Sequence, residues 1–445
     1  MKPYISLYDV ETFEKNFDKD SKNQVALNAV TRVGLDEASV NNSLQRTLTH
    51  NFNIEIEGGK VTNQMRSGRC WMFAATNVMR LEVMKNLNLD NMELSQSYPL
   101  FWDKLEKSNF FLENIMKTLD ENVSSRLLSY LLKDPLGDGG QWDMFVNIVK
   151  KYGVCPKSAM PETFSSSYTL RLDKLLTTKL REFASYLRSE ASKGAKLVTL
   201  RGYKEKMMDT IYRILAISLG KPPLTFTYET RDKKKNYISI KDISPKDFFA
   251  KYVKLDLDDY VSIINAPTAD KPFNRSFTVK FLGNVTDGKP VRYLNLPIAE
   301  LKRLVIDSLK ENNAVWFGSD VGQYSTKDTG FLSAAAYDYQ DLLSTEFKMD
   351  KATRLDYGES LMTHAMTFTG VDLDDNHNPT RWKVENSWGD KTGNLGYYVM
   401  DDKWFDQFTY QIVINKKYLT KDELKQYEAD PIELEPWDPM GSLAL

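Results

Sequence analysis

Apolar residues are dense near residue 70 and recur at helical spacing further along the chain. Residues 70–88, CWMFAATNVMRLEVMKNLN, contain no Gly or Pro and are apolar on most sides, which is typical of a helix that crosses a core. A second helical region is predicted over about 169–220, and the sequence Lys221-Pro222-Pro223 ends it. Its apolar stripe has steps of three and four residues: Leu172, Leu176, Leu180, Phe183 and Leu187.

The carboxyl-terminal part of the chain changes to short apolar segments that are typical of strands. They comprise residues 313–318, 365–371, 381–386 and 396–400. Helices early in the chain and strands late in it predict an α+β fold with partly segregated elements. The chain has 445 residues, of which 42% are hydrophobic, so it can bury a large core and form more than one compact unit.

Two of these segments predict a β-hairpin, because apolar and polar residues alternate on both sides of a turn-forming sequence at 374–379. Folding the chain about position 375 pairs Phe368 with Trp382 and Met366 with Val384. The apolar residues then share one buried face, and a slip of one residue would move all of them to the wrong face.

The same register places His364 opposite Asn386, with their Cβ atoms about 4.5–5.5 Å apart. An amide at that distance can hydrogen-bond one imidazole nitrogen. By itself, such a pair is most often a core histidine with a satisfied ring nitrogen. A catalytic interpretation therefore requires a third residue.

Cys70 is the candidate for that third residue, since it stands at the start of the predicted helix, where free N–H groups and the helix dipole favour a thiolate. Ser67-Gly68 provides a turn before the helix. Gln64, six residues before the cysteine, can direct its side-chain amide at an oxyanion beside the Cys70 N–H. Taken alone, a cysteine at such a position is more often structural.

Four motifs in order resemble those of the papain family of cysteine peptidases. The sequence from Gln64 to Trp71 resembles the nucleophile segment, His364-Ala365-Met366 the histidine strand, and Asn386-Ser387-Trp388-Gly389 the asparagine motif. Asp138-Gly139-Gly140-Gln141 resembles the double-glycine segment that lines the substrate cleft. The resemblance implies a two-lobed fold, in which a helical lobe carries the cysteine and a β-barrel-like lobe carries the histidine and asparagine.

Two departures narrow the family. Ser67 stands where secreted relatives carry a disulfide-forming cysteine, and the separation of Cys70 and His364 greatly exceeds the roughly 130–150 residues usual for papain. With Arg69 and the sequence of the carboxyl end, these features resemble the bleomycin hydrolase and bacterial aminopeptidase C family over essentially the whole chain. That resemblance implies a homohexamer with enclosed active sites.

The resemblance and the composition together predict five parts. These are an amino-terminal arm (1–60), a helical catalytic lobe (61–160), a helical insertion with assembly contacts (161–310), a β-rich catalytic lobe (311–427) and a carboxyl-terminal arm (428–445). We expect a cytoplasmic protein, because the chain has only two cysteines, no apolar signal segment near its start and no apolar run that could span a membrane.

The implied mechanism is acyl transfer from a peptide to Cys70, with no metal or organic cofactor. His364 and Cys70 form a thiolate–imidazolium pair, Asn386 orients the ring, and Trp388 packs over the pair. The carboxyl-terminal arm is expected to enter the cleft, where the carboxylate of Leu445 holds the α-ammonium of a peptide. The enzyme would then be an aminopeptidase, and a free, solvated tail would be the ordinary alternative.

Two alternatives stay open. The first is an endopeptidase of the same family that cleaves internal bonds. The second is a catalytically silent binding or structural protein, and nucleic-acid binding through the basic run 231–235 is a secondary hypothesis because the chain as a whole has 59 basic and 61 acidic residues. A zinc site is disfavoured by the scattered positions of His50, His364 and His377 and of the two cysteines.

Overall fold

The structure is a computed structural model that describes residues 3–442. Its α-helices are α1 (Leu7–Asp18), α2 (Ser21–Val33), α3 (Leu35–Ser39), α4 (Leu44–Thr47), α5 (Cys70–Leu87), α6 (Ser97–Lys117), α7 (Arg126–Lys133), α8 (Trp142–Tyr152), α9 (Phe164–Ser167), α10 (Leu170–Ser192), α11 (Leu197–Leu219), α12 (Pro245–Phe248), α13 (Ile298–Lys310), α14 (Tyr339–Leu343), α15 (Lys351–Asp356), α16 (Asp402–Phe408) and α17 (Lys421–Glu428). A π-helical turn lies at Phe249–Val253, and 3-10 helices lie at Leu257–Asp259, Lys416–Tyr418 and Pro439–Gly441.

The strands are β1 (Ile54–Glu55), β2 (Phe226–Arg231), β3 (Tyr237–Ile243), β4 (Tyr260–Ile264), β5 (Arg275–Val279), β6 (Tyr293–Asn295), β7 (Val315–Ser319), β8 (Ser325–Thr326), β9 (Phe331–Leu332), β10 (His364–Leu373), β11 (Pro379–Glu385), β12 (Tyr397–Asp401), β13 (Thr409–Asn415) and β14 (Ile432–Leu434). One sheet has the order β14-β5-β6-β4-β13-β7-β10-β11-β12-β9-β8, with β1 also paired to β10, and β2 and β3 form a separate hairpin.

Helix α5 is the central helix of the core and agrees with the helix predicted over 70–88. It is buried on nearly all sides, with Trp71, Met72 and Phe73 wholly inaccessible. The helix stops at Asn88, whose left-handed backbone conformation (φ 54°) ends the regular hydrogen bonding. It packs against β10, so the apolar segment near residue 70 lies directly on the sheet.

The second predicted helical region is confirmed as two helices, α10 and α11, which pack on α6 and on each other. Gly194, at φ +93°, lies in the break between them. The leucines of the predicted stripe are buried, and Phe183 packs on the same core with partial exposure.

The predicted hairpin is present as β10 and β11, but its predicted register is wrong by two residues. Phe368 pairs with Val384, not with Trp382, and a bulge after Phe368 then brings Val371 opposite Trp382. The shift arises in the turn, where the Asp374 carboxylate accepts the N–H groups of Asn376 and Asn378 and centres the turn on position 376. The shift is even for the pairs up to Phe368, which keeps those side chains on their predicted face, and it becomes three residues where the bulge intervenes.

The interval 161–310 is less helical than expected. It is helical as far as Leu219, but beyond that residue it contains β2 and β3 and also β4, β5 and β6 of the large sheet. The tail contributes β14, which runs parallel to β5. The large sheet therefore includes strands that come before residue 311 and after residue 427 in the sequence. The five-part division of the chain stays a prediction.

The amino-terminal arm lies largely outside the core. Neither α1 nor α2 contains a buried residue, and large apolar side chains such as Leu7 (84% exposed) and Tyr8 (76%) face solvent. Within residues 3–442, no helix is both long and apolar enough to cross a membrane.

A buried ion pair connects α5 to the end of β11. The Arg80 guanidinium contacts the Glu385 carboxylate, and both side chains are essentially inaccessible to water. Arg80 also donates to the carbonyl of Lys60 at 2.7 Å. Glu385 immediately precedes Asn386, so this ion pair fixes the strand end that carries the predicted orienting residue.

We expect Arg80→Met to lower the free energy of unfolding by about 3–5 kcal/mol, because it leaves the Glu385 charge buried without a partner. The double variant Arg80→Met/Glu385→Leu should lose less than the sum of the two single variants. Urea denaturation of the four proteins in the cycle measures this coupling. Additive losses would show that the two side chains do not stabilise each other.

Candidate active site

Cys70 is the first residue of α5 and lies against the strand that carries His364. Its Sγ is 3.4 Å from the backbone nitrogen of Ala365, which donates to it, and its side chain is 1% exposed. Because a helix leaves its first N–H groups without an intrahelical acceptor, the Cys70 N–H is available to a substrate oxygen. The structure thus places the cysteine at the junction of helix and sheet.

His364 and Asn386 meet although they are not opposite each other in the sheet. His364 pairs with Ser319 of β7, while its Nε2 is 2.9 Å from the Oδ1 of Asn386. The Ser387 N–H donates to the same Oδ1 at 2.7 Å, which identifies that atom as an acceptor. Nε2 therefore carries a proton and donates, and Nδ1 carries the lone pair that can accept the thiol proton.

Trp388 covers the imidazole. Its ring centroid is 4.9 Å from that of His364, and its far side meets Tyr398 edge to face at 5.9 Å. His364 is 5% exposed, so the aromatic cover excludes most water from the ring. The hydrogen bond from Nε2 to Asn386 lies in this dry environment, where it is strengthened.

Burial favours the neutral forms of both reacting groups. It raises the pKa of the Cys70 thiol to about 12, although the Ala365 N–H hydrogen bond acts in the opposite direction. It lowers the pKa of His364 to about 4, with the hydrogen bond to Asn386 opposing the shift. Desolvation therefore works against the predicted thiolate–imidazolium pair, which stays a prediction. A proton that moves within the pair leaves its net charge at zero.

Gln64 forms hydrogen bonds with the turn before Cys70 and with the segment that follows Asn386. Its Nε2 donates to the Ser67 carbonyl at 2.6 Å, and its Oε1 accepts from the Ser387 hydroxyl at 2.6 Å. Its backbone N–H donates to the Ser387 carbonyl at 2.8 Å. One of the two N–H groups on Nε2 is therefore used, and the second is the group that the predicted oxyanion role requires.

The carboxylate of Asp138 organises the turn before the cysteine. It accepts a hydrogen bond from the Gly68 N–H at 2.8 Å and contacts the Thr169 hydroxyl. The backbone carbonyl of Asp138 accepts a hydrogen bond from the Trp71 indole N–H at 2.7 Å. The Lys104 ammonium lies 2.7 Å from the same carboxylate and is itself inaccessible to water. This ion pair keeps the pKa of Asp138 well below its usual range despite burial.

Lys107 and Trp71 pack against the expected substrate segment at Gly139 and Gly140. The Lys107 ammonium donates to the carbonyls of Gly137 at 2.8 Å and Gly139 at 2.6 Å. At Gly140 an added Cβ would lie 2.5 Å from the Trp71 ring, so only glycine fits without a shift of that ring. Both Gly139 and Gly140 are buried, and their contact with a peptide stays a prediction.

The carboxyl-terminal arm reaches this region. The Gln141 side chain donates to the Ser442 carbonyl at 2.8 Å, and the Ser442 hydroxyl donates to the Met362 carbonyl at 2.9 Å. Gln141 follows the double glycine and Met362 precedes His364 by two residues. Ser442 therefore lies between the two halves of the predicted site, and Leu445 lies outside the described residues.

Upstream contacts hold the arm along its path. Asp438 forms an ion pair with Lys271 at 2.8 Å, and the Arg126 guanidinium lies 3.9 Å from the centre of the Trp437 ring. The Tyr293 hydroxyl donates to the Met440 carbonyl at 3.1 Å. The arm is thus an ordered, partly buried segment as far as Ser442, contrary to the alternative of a free tail.

Several supporting residues were missed from sequence. Lys104 and Lys107 lie on α6, and Arg80 lies on the apolar helix α5; only the tertiary partners of these side chains show their roles. Cys155 is free and buried, as expected of a structural cysteine. His377 lies in the exposed turn between β10 and β11, and the basic run 231–235 lies at the turn between β2 and β3.

Comparisons with known proteins show the family of this chain. A model of the Peptidase C1-like family matches residues 4–441. An aminopeptidase C from Lactobacillus delbrueckii subsp. lactis is 47% identical over 447 residues, which cover 100% of this chain and 99% of the relative. A bleomycin hydrolase from Homo sapiens is 44% identical over 398 residues, or 88% of each chain.

Among solved structures, a crystal structure of PepW from Lactobacillus rhamnosis is 49% identical, with a TM-score of 0.98 and coverage of 100% of both chains. The resemblance to the bleomycin hydrolase and aminopeptidase C family is confirmed, together with the papain-like α+β fold class. The chain belongs to the Peptidase C1-like family and is a papain-like cysteine peptidase.

Proposed function

We propose that this protein is a cysteine aminopeptidase that removes amino-terminal residues from peptides. The position of Ser442 carries the proposal, because it brings the carboxyl-terminal arm between Gln141 and Met362 at the site. An arm in that position occupies cleft space that a longer acyl-side chain would need. The relatives named aminopeptidase C, at 45–48% identity, support the same activity.

The proposed reaction begins with proton transfer from the Cys70 thiol to Nδ1 of His364, which holds the available lone pair. The thiolate attacks the peptide carbonyl, and the Cys70 N–H and the Gln64 amide stabilise the oxyanion. The imidazolium then gives its proton to the leaving amine as the C–N bond breaks. Water, deprotonated by His364, hydrolyses the thioester and restores the thiol.

The expected role of Asn386 is to hold the imidazole in the tautomer that this sequence of steps requires. Its Oδ1 accepts from Nε2 and from the Ser387 N–H, so the ring cannot turn over without losing a buried hydrogen bond. Trp388 excludes water from that bond. Loss of the acceptor would therefore reduce the fraction of enzyme with Nδ1 free to act as the base.

The endopeptidase alternative differs in the position of the arm's end. If the terminal carboxylate holds the α-ammonium of the substrate, as we propose for Leu445, peptides with a blocked amine would be excluded. If the carboxyl-terminal end lay outside the cleft, peptides with a blocked amine could bind. The contacts of Ser442 favour the first arrangement, because they hold that residue at the site.

We also propose that the protein acts in the cytoplasm as a homohexamer. Both cysteines are free thiols, which suits a reducing compartment. The apolar residues exposed on α1 and α2 support assembly, since a contiguous apolar surface of this kind is typical of an interface. The amino-terminal arm would then be covered by another copy of the chain.

For the catalytic proposal, we expect wild-type protein to hydrolyse a fluorogenic amide of a single amino acid with a free amine and to leave an amino-blocked peptide amide intact. Cys70→Ala should lower the rate on the free-amine substrate by at least about 10³-fold, because no other group supplies the nucleophile. Circular dichroism of the variant controls for folding. Equal rates for the two proteins would remove Cys70 from the mechanism.

For the arm, we expect a chain that ends at Ser442 to gain at least about tenfold in activity on the blocked peptide amide. It should lose activity on the free-amine substrate, because the carboxylate is no longer placed for the α-ammonium. The truncation leaves the described contacts of the arm intact, and thermal unfolding checks that. An unchanged ratio of the two activities would support the endopeptidase alternative or a different amine-binding group.

For assembly, we expect the double variant Leu7→Ser/Tyr8→Ser to form particles smaller than the wild-type hexamer, because it removes two exposed apolar side chains of α1. Light scattering coupled to gel filtration measures the mass. Tyr357→Ser, which changes another side chain that is 80% exposed, is the matched control. A wild-type protein of one-chain mass would exclude the hexamer.

A further inference from the structure

Lys327 lies in the turn between β8 and β9, on the aromatic cover of the site. Its ammonium is 5.4 Å from the centre of the Trp388 ring. The same ring is 4.9 Å from the imidazole of His364. The ammonium of an exposed lysine and the imidazole of His364 thus both pack on the same indole.

This position is on the leaving-group side of the cleft. In the proposed reaction, His364 protonates the leaving amine, so the groups packed beside its ring border the departing chain. The acyl side is marked by Gln141 and the arm at Ser442. Trp388 and Lys327 therefore face the part of the peptide that follows the cleaved bond.

The turn that carries Lys327 is anchored to the same aromatic cluster. The Tyr398 hydroxyl donates to the Lys327 carbonyl at 3.3 Å, and the ring of Tyr398 packs on Trp388. The Gly393 N–H donates to the Asp328 carbonyl at 3.1 Å. The base of the lysine side chain is fixed relative to Trp388, so only its aliphatic stem must be ordered when it binds a ligand.

The ammonium is also available. Among the described residues, the Lys327 ammonium forms a cation–π contact with Trp388 and no ion pair. Other exposed charges nearby are Asp328 in the same turn and Asp390 and Lys391 in the loop after Trp388. An ammonium held over an indole and left without a carboxylate can accept an anionic group of a ligand.

We propose that Lys327 binds the carboxylate at the end of a di- or tripeptide and so favours short peptides with a free carboxyl end. The ammonium and the imidazole lie 5.4 and 4.9 Å from the same ring centre, so they are at most about 10 Å apart. An extended peptide advances by about 3.3–3.6 Å per residue, so a carboxylate one or two residues beyond the cleaved bond spans part of that distance, and the exposed lysine stem covers the rest. The inference rests on the proposed aminopeptidase function and adds the substrate class. It assigns to Lys327 a role in binding, not in the chemical step.

The test compares the dipeptide Ala-Phe with its amide Ala-Phe-NH2, which differ only in the charged end. Both are assayed by the release of free alanine with wild-type protein, Lys327→Gln and the control Lys391→Gln. For Ala-Phe we expect Lys327→Gln to raise KM about two- to fivefold with kcat unchanged, the range for one partly exposed charge pair. For the amide, KM should stay unchanged in all three proteins.

Two further measurements sharpen the result. Lys327→Glu should raise the KM for Ala-Phe further than Lys327→Gln does, because it places like charges together. The wild-type preference for Ala-Phe over the amide should shrink between low salt and 0.5 M NaCl, as an exposed pair is screened.

An equal change in KM for the acid and the amide, or no change for either, would overturn the inference. Hydrolysis of the amide by wild-type protein would still support the aminopeptidase. Failure of the wild-type protein to release alanine from either substrate would overturn the proposed function and this inference together. A shift with Lys391→Gln as large as that with Lys327→Gln would show a general charge effect and also overturn the assignment.

Discussion

The contact between α5 and the large sheet is the constraint on which the site depends. Cys70 comes from the helix, while His364 and Asn386 come from the sheet, so a small displacement of the helix from the sheet would separate the proposed catalytic residues. The buried pair of Arg80 and Glu385 holds the strand end, and the Thr367 hydroxyl donates to the Ala74 carbonyl at 3.2 Å. The site is therefore only as well ordered as this packing.

The elements that carry the proposed site were predicted from sequence where local pattern was enough. Residue spacing and the absence of Gly and Pro placed α5, and the alternation of apolar residues placed β10 and β11 with the correct faces. The register was wrong by two residues, yet His364 and Asn386 still meet, because an even shift preserves the side of the sheet and both side chains span the remaining distance. The side of the sheet on which these two side chains lie was therefore predicted more reliably than their exact pairing.

The rest of the structure depends on contacts between distant parts of the chain. Nothing in the local sequence indicates that Lys104 is buried beside Asp138, because a lysine on an amphipathic helix usually faces water. The strands β4 and β5 pair with β13 and β14, which are far away in sequence, and short strands of this kind carry little periodicity. Such features follow from tertiary packing and are visible only in the folded chain.

The position of β13 affects the order in which the molecule can be completed during synthesis. This strand lies between β4 and β7 in the middle of the sheet, yet it comes late in the chain, at Thr409–Asn415. On a ribosome, the two halves of the sheet cannot be joined until these residues have emerged. A nascent chain that already contains all three proposed catalytic residues therefore lacks the strand that unites its sheet, so the site can be completed only when translation is nearly finished.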